Sequence, residues 1–125
     1  MNRFVLSCLP LTMAALASPA QADAWWLETH AAPTPQRFLI ERTMPGASQT
    51  SPADFRAGAA RSNAVLRDLG PDIQWVHSYV AGDKVYCVYQ ASSESLIREH
   101  ARRSGFPADK ITPIVAVLDP TTASR

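Results

Sequence analysis

Two stretches of this chain carry start signals, stop signals and a helical period, and extended runs lie on either side of each. That alternation restricts the fold more than any other feature. Thr50 or Ser51 can cap a helix, and Pro52 then occupies the favoured first position. Phe55, Ala59, Ser62, Val65, Leu66 and Leu69 recur at steps of three and four, which predicts a helix from about Pro52 to Leu69. Gly70-Pro71 stops it, because glycine accepts the left-handed turn and proline forbids continuation. Ser92 or Ser93 opens a second helix that runs to about Ser104 and closes at Gly105, with Leu96, Ile97, His100 and Ala101 as its inward stripe.

The extended runs are Arg37–Thr43, Ile73–Val80, Lys84–Gln90 and Ile111–Leu118, with Pro113 near the start of the last, a position tolerated on an edge. The order is therefore β-α-β-β-α-β. Right-handed crossovers turn that order into a four-stranded antiparallel sheet with both helices on one face, the ferredoxin-like α+β fold. The opposite face is left bare. With Trp75, Tyr79 and Tyr86 or Tyr89 on it, that face is too apolar for water, so a homodimer is expected.

Residues 1–22 read as a signal peptide. Asn2-Arg3 is followed by an apolar run from Phe4 through Ala17, and Ala20-Gln21-Ala22 has the small-x-small form that signal peptidase cuts. The run is shorter than the ~20 residues of a spanning helix, so no membrane association is expected after cleavage. Removal of 22 of the 125 residues leaves 103, with a periplasmic or secreted location. It also takes away Arg3 and Cys8, leaving eleven basic and eleven acidic side chains and one cysteine, Cys87. Charge parity excludes an electrostatic nucleic-acid binder. A lone thiol excludes an internal disulfide, so the core alone must hold the fold. Residues 23–36, with Trp25-Trp26 and two prolines, read as a flexible tail, and 37–123 as the domain.

The domain carries no phosphate-binding loop, no nucleophile elbow and no paired-cysteine zinc spacing. The side chains with chemistry to offer are Glu41, His77, Cys87, His100, Glu99 and several tyrosines. His77 and Cys87 lie on the two strands of one hairpin. A three-residue turn would place them opposite each other, and a two- or four-residue turn would put Val88 there instead. A carboxylate with imidazoles, with or without a thiolate, suits nickel or another divalent transition metal. Structural roles are also open to each. His77 reads equally as a surface or interface histidine, His100 as a packed residue bonded to a carbonyl, and Glu41 as the partner of Arg42 or Arg37. Cys87 reads as a small buried hydrophobe, and Arg98, Arg102 and Arg103 as a solvated helix face.

Several runs resemble a family of small bacterial domains of unknown function that includes nickel-binding members. They are Phe38-Leu39-Ile40-Glu41-Arg42, Arg61-Ser62-Asn63, Trp75 to Val80, Asp83 to Tyr89, Ile97 to Ala101, Gly105-Phe106-Pro107 and Asp119 to Thr122. The resemblance covers Arg37 to Ala123 and implies a ferredoxin-like fold, a dimer and no established catalysis. Glu41, His77, Cys87 and His100 all fall inside the matching runs, and their assignment as metal ligands rests on their chemistry. The export signal and the Trp25-Trp26 tail depart from most of the family. The expectation is an exported, non-catalytic, nickel-binding homodimer. A small-molecule or interaction module with an aromatic cavity at the dimer interface is the alternative. A weak enzyme of the dimeric-barrel type, with His77 as acid/base, is supported by fold analogy alone.

Overall fold

The computed structural model describes residues 33–124. Residues 1–22, read from the sequence as a signal peptide, lie outside them, as do Trp25-Trp26 and most of the expected tail. Strands β1 (Gln36–Thr43), β2 (Ile73–Ala81), β3 (Lys84–Ala91) and β4 (Lys110–Pro113) alternate with helices α1 (Pro52–Leu69) and α2 (Glu94–Ser104) in the order β1-α1-β2-β3-α2-β4. The four strands form one antiparallel sheet ordered β2-β3-β1-β4. This is the ferredoxin-like α+β arrangement that the sequence pattern implies.

Strand period two sorts the side chains of β1. Phe38, Ile40 and Arg42 face the helices and are buried, while Leu39 and Glu41 face away. Ile40 pairs with Cys87, and Phe38 with Tyr89, so β1 and β3 together supply the floor of the core. Ile97 of α2 closes it, and Ile40 and Ile97 are both fully buried. Burial of each such side chain is worth ~1.5–3 kcal/mol. The caps read from the sequence are present: Ser51 Oγ accepts from the Asp54 N–H at 3.1 Å, and Ser93 Oγ from the Leu96 N–H at 3.4 Å. Gly105 ends α2 at φ +73°.

The two helices cover the sheet unequally. α2 buries Ile97, His100, Ala101 and Ser104, whereas Ser62 alone is buried on α1. Phe55, at the start of the α1 stripe, stays 43% exposed. The first turns of α1 therefore stand off the sheet and leave space beneath them.

The β2–β3 hairpin resolves the register. Ala81 pairs with Lys84, so the turn has two residues, and His77 lies opposite Val88 while Ser78 lies opposite Cys87. Gly82 takes φ +59° at the first turn position, where a β-carbon would be strained. Further along, Trp75 pairs with Tyr89, which leaves Val76 as a bulge. The extra residue reverses the facing of everything before it. Trp75 thus packs against the core with Tyr89, and the aromatics of the bare face are Tyr79 and Tyr86.

The fourth strand is shorter than its sequence pattern. It ends at Pro113, not Leu118. Its partner β1 begins at Gln36, and once Ile114 has donated to the Arg37 carbonyl at 2.8 Å the ladder has one partner residue left. Val115, Val117 and Leu118 stand exposed beyond it. Among the described residues no helix is long and apolar enough to cross a membrane.

Candidate functional site

The helix-facing side of the sheet contains an unexpected buried charge. Arg42 is 2% exposed. Its Nε donates to Cys87 Sγ at 3.3 Å, and its Nη1 donates to the Pro107 carbonyl. Its Nη2 is buried without a hydrogen-bond partner. The guanidinium also lies over the Phe106 ring, with Cζ 5.7 Å from the centroid, and 6.0 Å from that of Tyr89. Arg42 does not pair with Glu41, because adjacent strand residues point to opposite faces.

Beside it runs a short polar chain. Ser62 Oγ is 3.3 Å from the Tyr89 hydroxyl and 3.0 Å from His100 Nε2. His100 is fully buried, and its Nδ1 has no partner. Burial pushes the His100 pKa down, and the nearby Arg42 charge adds to the effect, so both disfavour the imidazolium. Burial likewise raises the Tyr89 phenol. The expected bond from His100 to a carbonyl is thus replaced by one to a hydroxyl of α1.

Where α1 stands off the sheet there is a cavity of about 410 Å³. Phe55, Gly58, Arg61 and Ser62 of α1 form its roof, and Arg42, Trp75, Ser78, Cys87 and Tyr89 its floor. Phe106, from the loop after α2, closes one side, with Arg61 Cζ 4.7 Å from its ring centroid. The cavity lies within one chain, between sheet and helix, whereas the sequence suggested an aromatic cavity between two copies. The phase of Arg42 with Phe38 and Ile40 was the signal that could have placed it inward.

The four proposed metal ligands fall on two sides of the sheet. Cys87 and His100 lie on the helix-covered side, engaged by Arg42 and by Ser62. Glu41 and His77 lie on the open side. Glu41 is held by two lysines, Lys84 and Lys110, each at 3.7 Å, in place of the expected arginine. His77 is exposed and meets the Tyr79 ring edge to face, centroids 4.9 Å apart. Glu41 pairs with Tyr86 and Tyr86 with Tyr79, so two strand spacings and two residues separate the Glu41 and His77 backbones, about 12 Å. Among the described residues no group of three or more His, Cys, Asp or Glu side chains could hold a metal ion. The described residues of one copy therefore do not make a complete nickel site. The arginines of α2 form a solvated face, Arg98 paired with Glu94, and Arg102 and Arg103 with Glu99.

A family model described as nickel responsive protein SCO4226-like matches residues 38–114. The crystal structure of SCO4226 from Streptomyces coelicolor A3(2) is similar with a TM-score of 0.56 at 19% identity, over 66% of this chain and 99% of that one. That likeness carries the fold. No curated protein matches the chain. With the match running from the start of the core in β1 through the end of β4, the chain belongs to the SCO4226-like family of nickel-responsive proteins.

Proposed function

We propose that this protein is an exported, non-catalytic nickel-binding protein that works as a homodimer, with the ion held between two copies on their open sheet faces. His77 is the leading ligand and Glu41 the acidic one, each supplied by both copies. The observation that carries the reading is the placement of His77, an exposed imidazole on an uncovered face beside the exposed Tyr79. The family's description as nickel responsive supplies the choice of metal. Imidazole and carboxylate suit nickel, and two copies together offer four such donors where His77 and Glu41 of one copy offer two. The lysines on Glu41 are a weak obstacle, since exposed ion pairs are worth only ~0–1 kcal/mol. The signal-like residues 1–22 support export and hence a periplasmic or secreted site of action.

Metal analysis and calorimetry on untagged protein test this. The expected stoichiometry is one nickel per two chains, with binding lost in His77→Ala and weakened in Glu41→Gln. Cys87→Ser and His100→Gln, on the far side of the sheet, are expected to leave it intact. Wild-type protein that takes up no nickel, or a His77→Ala variant that binds as well as wild type, rules the site out.

A further inference from the structure

The geometry points to a second binding function: we propose that the cavity beneath α1 takes a small organic carboxylate, its charged head at Arg42 and Arg61 and its apolar body among the surrounding rings. The argument starts from charge. Arg42 borders the cavity, is 2% exposed, and has one terminal nitrogen, Nη2, with no partner. A buried guanidinium with no carboxylate bonded to it is costly, and its fork of donors matches the two oxygens of a carboxylate. Asp109 feels the Arg42 charge, but its carboxylate accepts from the Thr43 N–H and makes no hydrogen bond or ion pair with the guanidinium. Glu41, Glu94 and Glu99 are paired with other cations, and Asp54, the acid among the lining residues, accepts from Ser51 Oγ at 2.7 Å. Arg61 adds a second cation to the wall, stacked on Phe106.

The remaining lining selects the rest of the ligand. Phe55, Trp75, Tyr89 and Phe106 offer aromatic surface, and the first of these stays 43% exposed, as a wall awaiting cover would. Such walls disfavour a strongly hydrated inorganic anion and favour an aryl or alkyl body behind the head. The volume, about 410 Å³, falls in the ~300–1,000 Å³ range of small-molecule sites. The lining carries two cations against one acid, Asp54, a balance that disfavours a metal ion, so this site is separate from the nickel reading and stands or falls without it.

Calorimetry on the metal-free full chain, with 4-phenylbutanoate and its neutral counterpart 4-phenylbutan-1-ol, tests the assignment. The acid is expected to bind about tenfold tighter than the alcohol, since the alcohol leaves the arginines unanswered. Arg42→Met and Arg61→Met should each weaken the acid about tenfold and leave the alcohol within about twofold. If Arg42→Met does not fold, Arg61→Met on the rim decides the same question. A β-carbon at Gly58 would sit 3.6 Å from Phe106 Cζ, an ordinary contact. Gly58→Leu should therefore fill the space and abolish binding of both compounds, with folding checked by thermal unfolding. The proposal fails if neither compound binds wild type, if both bind equally, or if the acid is indifferent to the arginine substitutions.

Discussion

Arg42 Nε donates to Cys87 Sγ at 3.3 Å across the β1–β3 ladder, and both residues border the cavity beneath α1. A thiol is a weak acceptor for a guanidinium, so the contact orders the arginine without neutralising it. The guanidinium is thus held in the interior with Nη2 unpartnered, while its stem packs beside the core.

The first prediction follows from that imbalance. Arg42→Met keeps the apolar stem and removes the buried, incompletely bonded guanidinium, so the ligand-free protein should be as stable as wild type or about 1 kcal/mol more so. In thermal unfolding that corresponds to a rise of up to ~4–8 °C for a domain of this size. Arg42→Ala loses the packing as well and should cost about 2–3 kcal/mol. A large loss in the methionine variant would show that the bonds to Cys87 and Pro107 outweigh the desolvated charge.

His100 should make stability depend on pH. Its folded pKa lies below the ordinary value of 6.5 because burial, and then Arg42, disfavour the imidazolium. The unfolded chain therefore binds the proton first as pH falls, and stability drops on going below about 6.5. The loss levels off once pH passes beneath the folded value. His100→Gln, which can still bond Ser62, should flatten the unfolding midpoint between pH 7 and 5. Asp109, whose carboxylate is held low chiefly by the Thr43 N–H, acts at lower pH, losing its contribution as it protonates.

Ser51 both accepts from the Asp54 N–H and donates to the Asp54 carboxylate, pinning the end of α1 that roofs the cavity. Ser51→Ala should cost about 1 kcal/mol in thermal or urea unfolding. Since that end of the helix touches little else, the loss should appear as raised amide exchange through Phe55 and little change around Ile97. Uniform loosening of both helices would mean that α1 and the sheet unfold as one unit.

The helices were legible because their signals are local. Ser51, Pro52 and Gly70 fix α1 at the expected limits, and Ser93 and Gly105 do the same for α2. Strand facing was legible only where the strands are regular. Along β1 the alternation already sets Arg42 with Phe38 and Ile40, although an arginine in that phase is easily given to a neighbouring carboxylate. In β2 the bulge at Val76 puts Trp75 on the face opposite to Tyr79, and no residue there announces it. Ala81-Gly82-Asp83 likewise suited more than one turn length, and the choice decided that His77 and Cys87 lie on different sides. The overrun of β4 had a non-local cause: a strand can pair only as far as its neighbour extends. The cavity arises from the stand-off of α1, a packing outcome that no single stretch of sequence encodes.

The last prediction concerns the open face. Tyr79 is 61% exposed, on the sheet face opposite the buried side chains that α1 and α2 cover. Two copies paired through this face repeat every contact about a two-fold axis, so one substitution acts twice. Wild-type protein should therefore sediment at twice the mass of its chain, and Tyr79→Lys should raise the dissociation constant at least about tenfold through two like charges in an apolar contact. An exposed position in an isolated domain should change monomer stability by less than ~0.5 kcal/mol, so unfolding of dilute protein separates lost pairing from lost folding. Nickel adds a linked test. An ion held between copies must tighten the dimer by the same factor that the dimer tightens nickel binding. Tyr79→Lys should therefore weaken nickel uptake although His77 and Glu41 are intact. Monomeric wild-type protein, or nickel affinity independent of chain concentration, would remove the shared site.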